Sequence, residues 1–277
     1  MSSTVRLYVE QELGQGQTVT LSREQAHYLF GVMRLAVGAR VALFNGRDGE
    51  FAARVEEAGK RGGVLVCEAQ SRPLQMPPDL WLLFAPIKKA RTDFIVEKAA
   101  EMGAARICPV QTEFTNSERI RQDRLQAHAV EAAEQCGGTY VPEVAELQKL
   151  DRVLDGWPDG RRLMFCDEAT VEEVAAGGAM ADPAMGDSAQ AHGVTQDRTP
   201  AHGVTAAGAR LPVLADGRAG PWAILIGPEG GFSTRERARL ATMAAARRVS
   251  LGPRILRADT AAVAALTLWQ MQLGDWT

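Results

Sequence analysis

Ile224-Leu-Ile-Gly-Pro-Glu-Gly-Gly-Phe-Ser233 runs from an apolar segment of strand length through a turn into a helix. The turn, Gly227 to Gly231, holds three glycines in five residues, and Ser233 and Glu236 have the spacing of a capping box. Glycine lets a backbone turn sharply or approach a ligand closely, and amides at a helix start can hold an anionic group. The pattern is neither the phosphate-loop motif, since no Lys follows the glycines, nor G-x-G-x-x-G, so both nucleotide-binding fingerprints are excluded. Downstream, Val249-Ser-Leu-Gly-Pro-Arg-Ile-Leu-Arg-Ala-Asp-Thr260 repeats the design: a strand, a Gly252-Pro253 turn and a polar helix start at Asp259-Thr260. Arg254 and Arg257 flank apolar Ile255 and Leu256. A plain Gly-Pro connection and solvated loop arginines would give parts of this pattern. Two such loops after two apolar strands fit a ligand crevice at the carboxyl ends of a parallel sheet.

Upstream of this stretch the chain alternates strands and helices from residue 80. Leu80 to Ala85, Arg106 to Val110, Thr139 to Val141, Arg162 to Cys166 and Trp222 to Ile226 read as strands. Thr92 to Met102, Arg121 to Cys136, Thr234 to Ala246 and Thr260 to Leu273 read as helices. This order implies a parallel sheet covered on both faces. Residues 1–72 read differently, as short strands (Arg6 to Val9, Gly38 to Phe44, Glu50 to Val55, Val64 to Glu68) with one helix from Ser22 to Met33. Ser22 and Gln25 form its capping box, and Asn45-Gly46 signals a hairpin turn. Pro73, Pro77 and Pro78 mark a linker. Two domains are therefore expected, 1–72 and 73–277. The second is interrupted at about 171–218, where 12 Ala and 7 Gly fall in 48 positions without an aromatic residue. Such a segment buries little. His192 and His202 recur there in a repeated Ala-His-Gly-Val-Thr, which is read as a repeat and not as a metal site.

Composition narrows the function classes. The chain has 277 residues and a net charge of −3, which argues against coating nucleic acid by bulk charge. The charge is uneven, and residues 219–277 hold seven bases against four acids. Of 31 basic residues 26 are Arg, which either reflects codon usage or serves phosphate recognition. Cys67, Cys108, Cys136 and Cys166 form no C-x-x-C pair, so a structural zinc or redox site is not expected, and free thiols fit a reducing cytosol. No run of about 18 apolar residues predicts a membrane span. Met1 to Arg6 lacks an apolar signal core, so a cytoplasmic location is expected.

Gly227-Pro-Glu-Gly-Gly231, followed by Leu251-Gly-Pro-Arg-Ile-Leu-Arg257 and Thr260-Ala261, resembles the RsmE family. These are SPOUT-class methyltransferases acting on N3 of a uridine in 16S ribosomal RNA. The resemblance extends to Arg6 to Val9, His27-Tyr-Leu, Met33-Arg34, Gly38 and Phe44-Asn-Gly46, which are similar to the family's PUA-like RNA-binding domain. It also takes in Lys88, Glu97 to Gly103, Pro109-Val110 and Glu131 to Cys136 of the catalytic domain. The resemblance implies an α/β fold: a SPOUT-type parallel sheet with a C-terminal trefoil knot, behind a small N-terminal PUA-like β-barrel. Knots are otherwise nearly absent from proteins. It further implies S-adenosylmethionine (SAM) as cofactor, a homodimer, and 16S ribosomal RNA or the small ribosomal subunit as partner. Carried over by position, the cofactor residues are Ile226, Gly227, Glu229, Gly230, Gly231, Leu251, Gly252, Ile255, Leu256 and Arg257, with Phe165 to Glu168 as a third wall. The sequence departs from the family pattern at Asp259 (usually Glu), Gly138 (usually Arg) and Phe114 (often Arg), which leaves substrate contacts at 114 and 138 in question.

Uridine N3 carries a proton and must lose it to become nucleophilic, while the carbonyls beside it take up negative charge. A guanidinium aimed there stabilises that charge. Arg257 is assigned this role, with Arg254 second. Glu229 and Asp259 are the candidate proton acceptors, although Glu229 could instead orient its loop and Asp259 cap the last helix. Arg6, Arg34, Lys88, Lys89, Arg91 and Arg254 are expected to contact RNA phosphates, and His27 is read as a core residue. The competing readings are a non-catalytic RNA-binding or ribosome-assembly protein, and a SPOUT enzyme with another RNA substrate.

Overall fold

Two sheets organise the computed structural model, which describes residues 5–117, 119–167 and 220–276. In the first, β1 (Arg6–Tyr8), β2 (Thr18–Thr20), β3 (Arg40–Phe44), β4 (Glu50–Gly59) and β5 (Gly62–Arg72) lie in the order β1-β3-β4-β5-β2. Only β1 and β3 pair in parallel. Val9, Val19, Leu29, Val41, Leu43, Val55 and Leu65 are fully buried between these strands and the helix that follows β2. That helix starts as α1 (Arg23–Ala26), with both halves of the Ser22–Gln25 capping box formed, and continues as a π-helical turn, His27–Val32. His27 is exposed, which corrects its reading as a core residue. Its ring lies against Gly31, where a Cβ would stand 2.9 Å from Nδ1. Asn45-Gly46 does turn the chain, but within a five-residue connection. The Asn45 side chain is buried, accepts from the amides of Arg47 and Asp48, and donates to Gln11 and Asp48.

The second sheet holds β6 (Leu80–Phe84), β7 (Arg106–Gln111), β8 (Glu143–Val144), β10 (Arg162–Cys166), β11 (Trp222–Ile226) and β12 (Ala246–Val249). They lie parallel in the order β12-β10-β11-β6-β7-β8, with β9 (Gln148–Lys149) on β7. Successive strand residues point to opposite faces, and here both faces are apolar. Leu80, Leu82, Phe84, Trp222, Ile224 and Met164 pack on one side with α2 (Lys89–Glu101), α3 (Gln122–Cys136) and α6 (Ala258–Leu273). Leu83, Ala223, Leu225, Leu163 and Phe165 pack on the other with α4 (Leu150–Asp155) and α5 (Thr234–Thr242). Burying one such side chain is worth about 1.5–3 kcal/mol. Gln270 of α6, fully buried, donates to the Met102 carbonyl at the end of α2. Among the described residues no helix is long and apolar enough to cross a membrane.

The segment Thr139 to Val141 is not a strand, and the pairing with β7 is made by Glu143–Val144 instead. The earlier residues serve the junction between the two sheets. The Thr139 hydroxyl accepts from the Gln75 amide and lies 3.3 Å from the Pro73 carbonyl, and the Tyr140 hydroxyl donates to the Ala105 carbonyl. β2, β9 and α4 have too few residues to show a period in sequence. The low-complexity stretch 171–218, with His192 and His202, lies outside the described residues.

Arg6 is part of the same junction, which corrects its reading as an RNA contact. Its guanidinium pairs with buried Glu50 at 2.8 Å. It also donates to the carbonyls of Ala133 and Glu134, both at 2.7 Å, and of Gly138 at 2.8 Å. Carbonyls of the last helical turn lack partners within the helix and form the negative end of its dipole. Arg6 satisfies them from the other domain, and Arg72 does the same at the Gly137 carbonyl. The Tyr8 amide donates to the Glu134 carboxylate, whose pKa is raised by burial. Arg6→Ala leaves buried Glu50 with the longer Arg72 contact, at 3.9 Å, in place of the 2.8 Å pair, and equilibrium urea unfolding is expected to show a loss of about 3 kcal/mol. A loss below about 1 kcal/mol, the range of exposed pairs, would remove Arg6 from this role.

Candidate cofactor site

β10, β11 and β12 end side by side, in register from Cys166 to Ile226 and from Cys166 to Val249. The segments that leave them enclose a cavity of about 250 Å³. Ile226, Gly227, Glu229 and Gly231 form one wall, and Leu251, Gly252, Arg254, Ile255, Leu256 and Arg257 form another. Cys166 and Asp167 supply a third. Phe165 points away from the cavity into the opposite core, edge-on to Phe232, and Glu168 lies outside the described residues.

Two glycines let these loops take their paths. Gly231 has φ +68° and Gly252 φ +125°, both in the region that side chains rarely adopt. Gly230, between Glu229 and Gly231 of the wall, is not itself among the residues that line the cavity. It faces Phe114, and a Cβ there would lie 3.4 Å from the Phe114 Cβ. After the first loop the predicted capping box is complete. Ser233 accepts from the Glu236 amide, and buried Glu236 accepts from the Ser233 amide at 2.9 Å. The other oxygen of Glu236 accepts from the Glu113 amide at 2.9 Å. One buried carboxylate therefore holds the cofactor loop, the start of α5 and the turn after β7 together.

The polar groups divide into committed and uncommitted ones. Arg254 and Arg257 line the cavity, and among the described residues their guanidinium groups make no hydrogen bond or ion pair. Arg257 is the residue before α6, whose N-cap has no side-chain bond. Arg91, expected on RNA, instead lies between the two candidate carboxylates, 4.0 Å from Glu229 and 3.7 Å from Asp259. Glu229 is half exposed and lines the cavity. Asp259 is not among the lining residues and sits in the first turn of α6, where a negative charge suits the helix dipole.

Asp167, within the expected third wall, has partners that the sequence did not reveal. Its carboxylate is 1% exposed, held by Arg237 at 2.9 and 3.1 Å and by Arg248 at 3.2 Å. The three residues lie just after β10, on α5 and on β12, so no local signal joins them. A buried charge is tolerated when it is paired. Burial pushes the Cys166 thiol up to about 12, so it stays neutral and non-nucleophilic at the cavity wall. Arg34 is exposed with φ +56°, and Lys88 and Lys89 are exposed at the start of α2. Among the described residues no cluster of three or more His, Cys, Asp or Glu is placed to hold a metal ion.

Residues 75–186 and 200–270 match the family of RNA methyltransferase domains, and residues 21–66 match the PUA domain of RNA methyltransferases. The chain belongs to the RNA methyltransferase family. Its relatives include the ribosomal RNA small subunit methyltransferase E of Rickettsia conorii, 25% identical over 94% of this chain and 93% of that one. The enzyme of the same name from Neisseria gonorrhoeae, solved with bound SAM, superposes with a TM-score of 0.76 at 25% identity and covers 99% of this chain and 100% of its own. A Legionella pneumophila structure with bound SAM gives 0.74 at 27% identity, over 98% of this chain and 99% of that one.

Gly231→Val puts a β-branched side chain at φ +68°, where non-glycine residues are strained. Titration calorimetry with SAM is expected to show at least a tenfold weaker Kd for this variant than for wild type, at unchanged far-ultraviolet circular dichroism. Equal affinities would detach this loop from the cofactor.

Proposed function

We propose that the chain is a SAM-dependent methyltransferase acting on N3 of a uridine in 16S ribosomal RNA. The observation that carries this reading is the cavity at the ends of β10, β11 and β12, where two Gly-Pro loops meet two arginines that are unpaired among the described residues. Ile226, Leu251, Ile255, Leu256 and Phe232 give it apolar walls, and Asp167, Glu229 and Ser250 give it polar edges. These residues fit a cofactor that combines a planar base, polar ribose and amino-acid groups, and a sulfonium. SAM, when bound, supplies an activated methyl group that needs no further acid catalysis.

The protein's own residues then have to position and deprotonate the acceptor. Arg257 lines the cavity, pairs with no carboxylate among the described residues, and stabilises the charge that develops on the uridine carbonyls as N3 loses its proton. Arg254 is second in this role and an alternative contact to phosphate. Glu229, at the cavity, is the better placed acceptor for the N3 proton. Asp259 acts through the α6 start and through Arg91. Arg34, Lys88 and Lys89 remain the phosphate contacts of this reading, with Arg6 and Arg91 removed by their internal partners. The C-terminal path supports a trefoil knot. α5 covers one face, β12 pairs at the far edge beside β10, and residues 250–257 carry the chain to the opposite face, where α6 packs. The unpaired thiols fit a cytoplasmic setting.

Purified protein incubated with labelled SAM and small ribosomal subunits lacking the modification is expected to methylate one uridine at N3, located by mass spectrometry. Arg257→Ala is expected to lower the rate at least about a hundredfold, the scale for loss of one charge-stabilising donor. RNA binding without methyl transfer would favour a non-catalytic assembly protein, and methylation of another RNA a different member of the class.

A homodimer is also proposed. Phe94 on α2, Met271 on α6 and Trp276 just beyond it leave apolar surface exposed. Sedimentation equilibrium is expected to give twice the chain mass of 29.8 kDa at micromolar concentration. A monomer would withdraw this part.

A further inference from the structure

A second cavity, of about 340 Å³, opens between the start of α2 and the segment that leads into α3. Its rim carries Lys89, Arg119, Arg121 and Arg124, and its floor carries Ile87 and Leu125. Two of the four cations are neutralised where they stand, Arg124 by Asp93 and Arg121 by Asp123, both at 2.5 Å. Among the described residues Lys89 and Arg119 have no carboxylate partner, and both are exposed. Among the described residues the cleft therefore keeps two unmatched positive charges in a chain whose net charge is −3. α2 adds to this, because its first turn contains no acidic residue and its N-cap no side-chain bond.

The position matters as much as the charge. β6 lies beside β11, and Phe84 is level with Ile226. The chain leaving Phe84 reaches Ile87 at the cleft floor, and the chain leaving Ile226 forms the first cofactor loop. Both cavities thus open at the carboxyl end of the sheet, from neighbouring strands. Arg91, one helical step from Lys89, already touches Glu229 of that loop.

We infer that this cleft receives the ribose-phosphate backbone of the substrate RNA next to the uridine to be methylated, with Lys89 and Arg119 on the phosphates and the apolar floor under the sugars. This rests on the RNA methyltransferase reading above and adds Arg119, which no motif pointed to. Backbone contacts of this kind hold a strand in register without reading its sequence. They also release counterions, so each phosphate contact adds about one unit to the dependence of log affinity on log salt.

The test compares wild type with the Lys89→Ala, Arg119→Ala double variant, using 16S RNA or small subunits across a series of salt concentrations. The variant is expected to show about a tenfold weaker RNA affinity at low salt and a salt slope smaller by about two, with SAM affinity by calorimetry unchanged. The charge-keeping pair Lys89→Arg, Arg119→Lys is expected to restore both. A folded double variant with wild-type affinity and slope overturns the inference while leaving methyl transfer intact. Wild type that binds RNA through this cleft but transfers no methyl group overturns the enzyme reading and leaves the cleft in place.

Discussion

A parallel sheet with apolar side chains on both faces can only be buried between two layers of helices. Leu80 to Phe84, Trp222 to Ile226 and Arg162 to Cys166 impose this condition, since nearly every residue in them is buried. Each connection has to leave at the carboxyl end of a strand, cross a face, and return to the other end. The loops that follow β6, β11 and β12, and Asp167 after β10, are thereby collected at one end of the sheet. The cofactor cavity and the basic cleft beside it are consequences of that collection.

Within the site, the glycines and the carboxylates solve separate problems. Gly231 and Gly252 allow backbone paths that bring two loops around one cavity. Glu236, Asp167 and the Arg91 group then hold those loops to elements elsewhere in the domain. Each of the three crosses between elements distant in sequence, so loss of a partner would loosen the cavity without touching its lining. Arg254 and Arg257 are left out of these networks, and that availability is what suits them to a substrate.

The departures from the family pattern also find places. Phe114 lies beside Gly230, where a Cβ would stand 3.4 Å from its own. At Gly138 the backbone carbonyl accepts from Arg6, and the neighbouring Gly137 carbonyl accepts from Arg72. The guanidinium groups at this corner thus come from the N-terminal domain. They join the two sheets there by satisfying the end of α3.

Long periodic elements were legible in the amino-acid order alone. The strands at 80, 106, 162 and 222, the helices α2, α3 and α6 and both capping boxes follow from local patterns of burial and hydrogen bonding. So did the two glycine-proline turns that line the cavity, because glycine and proline restrict the backbone locally. The short elements β2, β9 and α4 were not legible, since two to six residues carry too little period. Nor was the difference between an arginine left without an internal partner among the described residues and one already spent inside the fold. Arg6, Arg91 and Arg257 are the same residue in sequence, and their roles diverge only when distant segments bring, or fail to bring, a carboxylate or carbonyl within hydrogen-bonding or ion-pair reach. That is a property of long-range packing, which fixes the partners of a charged side chain after local pattern has fixed the backbone that carries it.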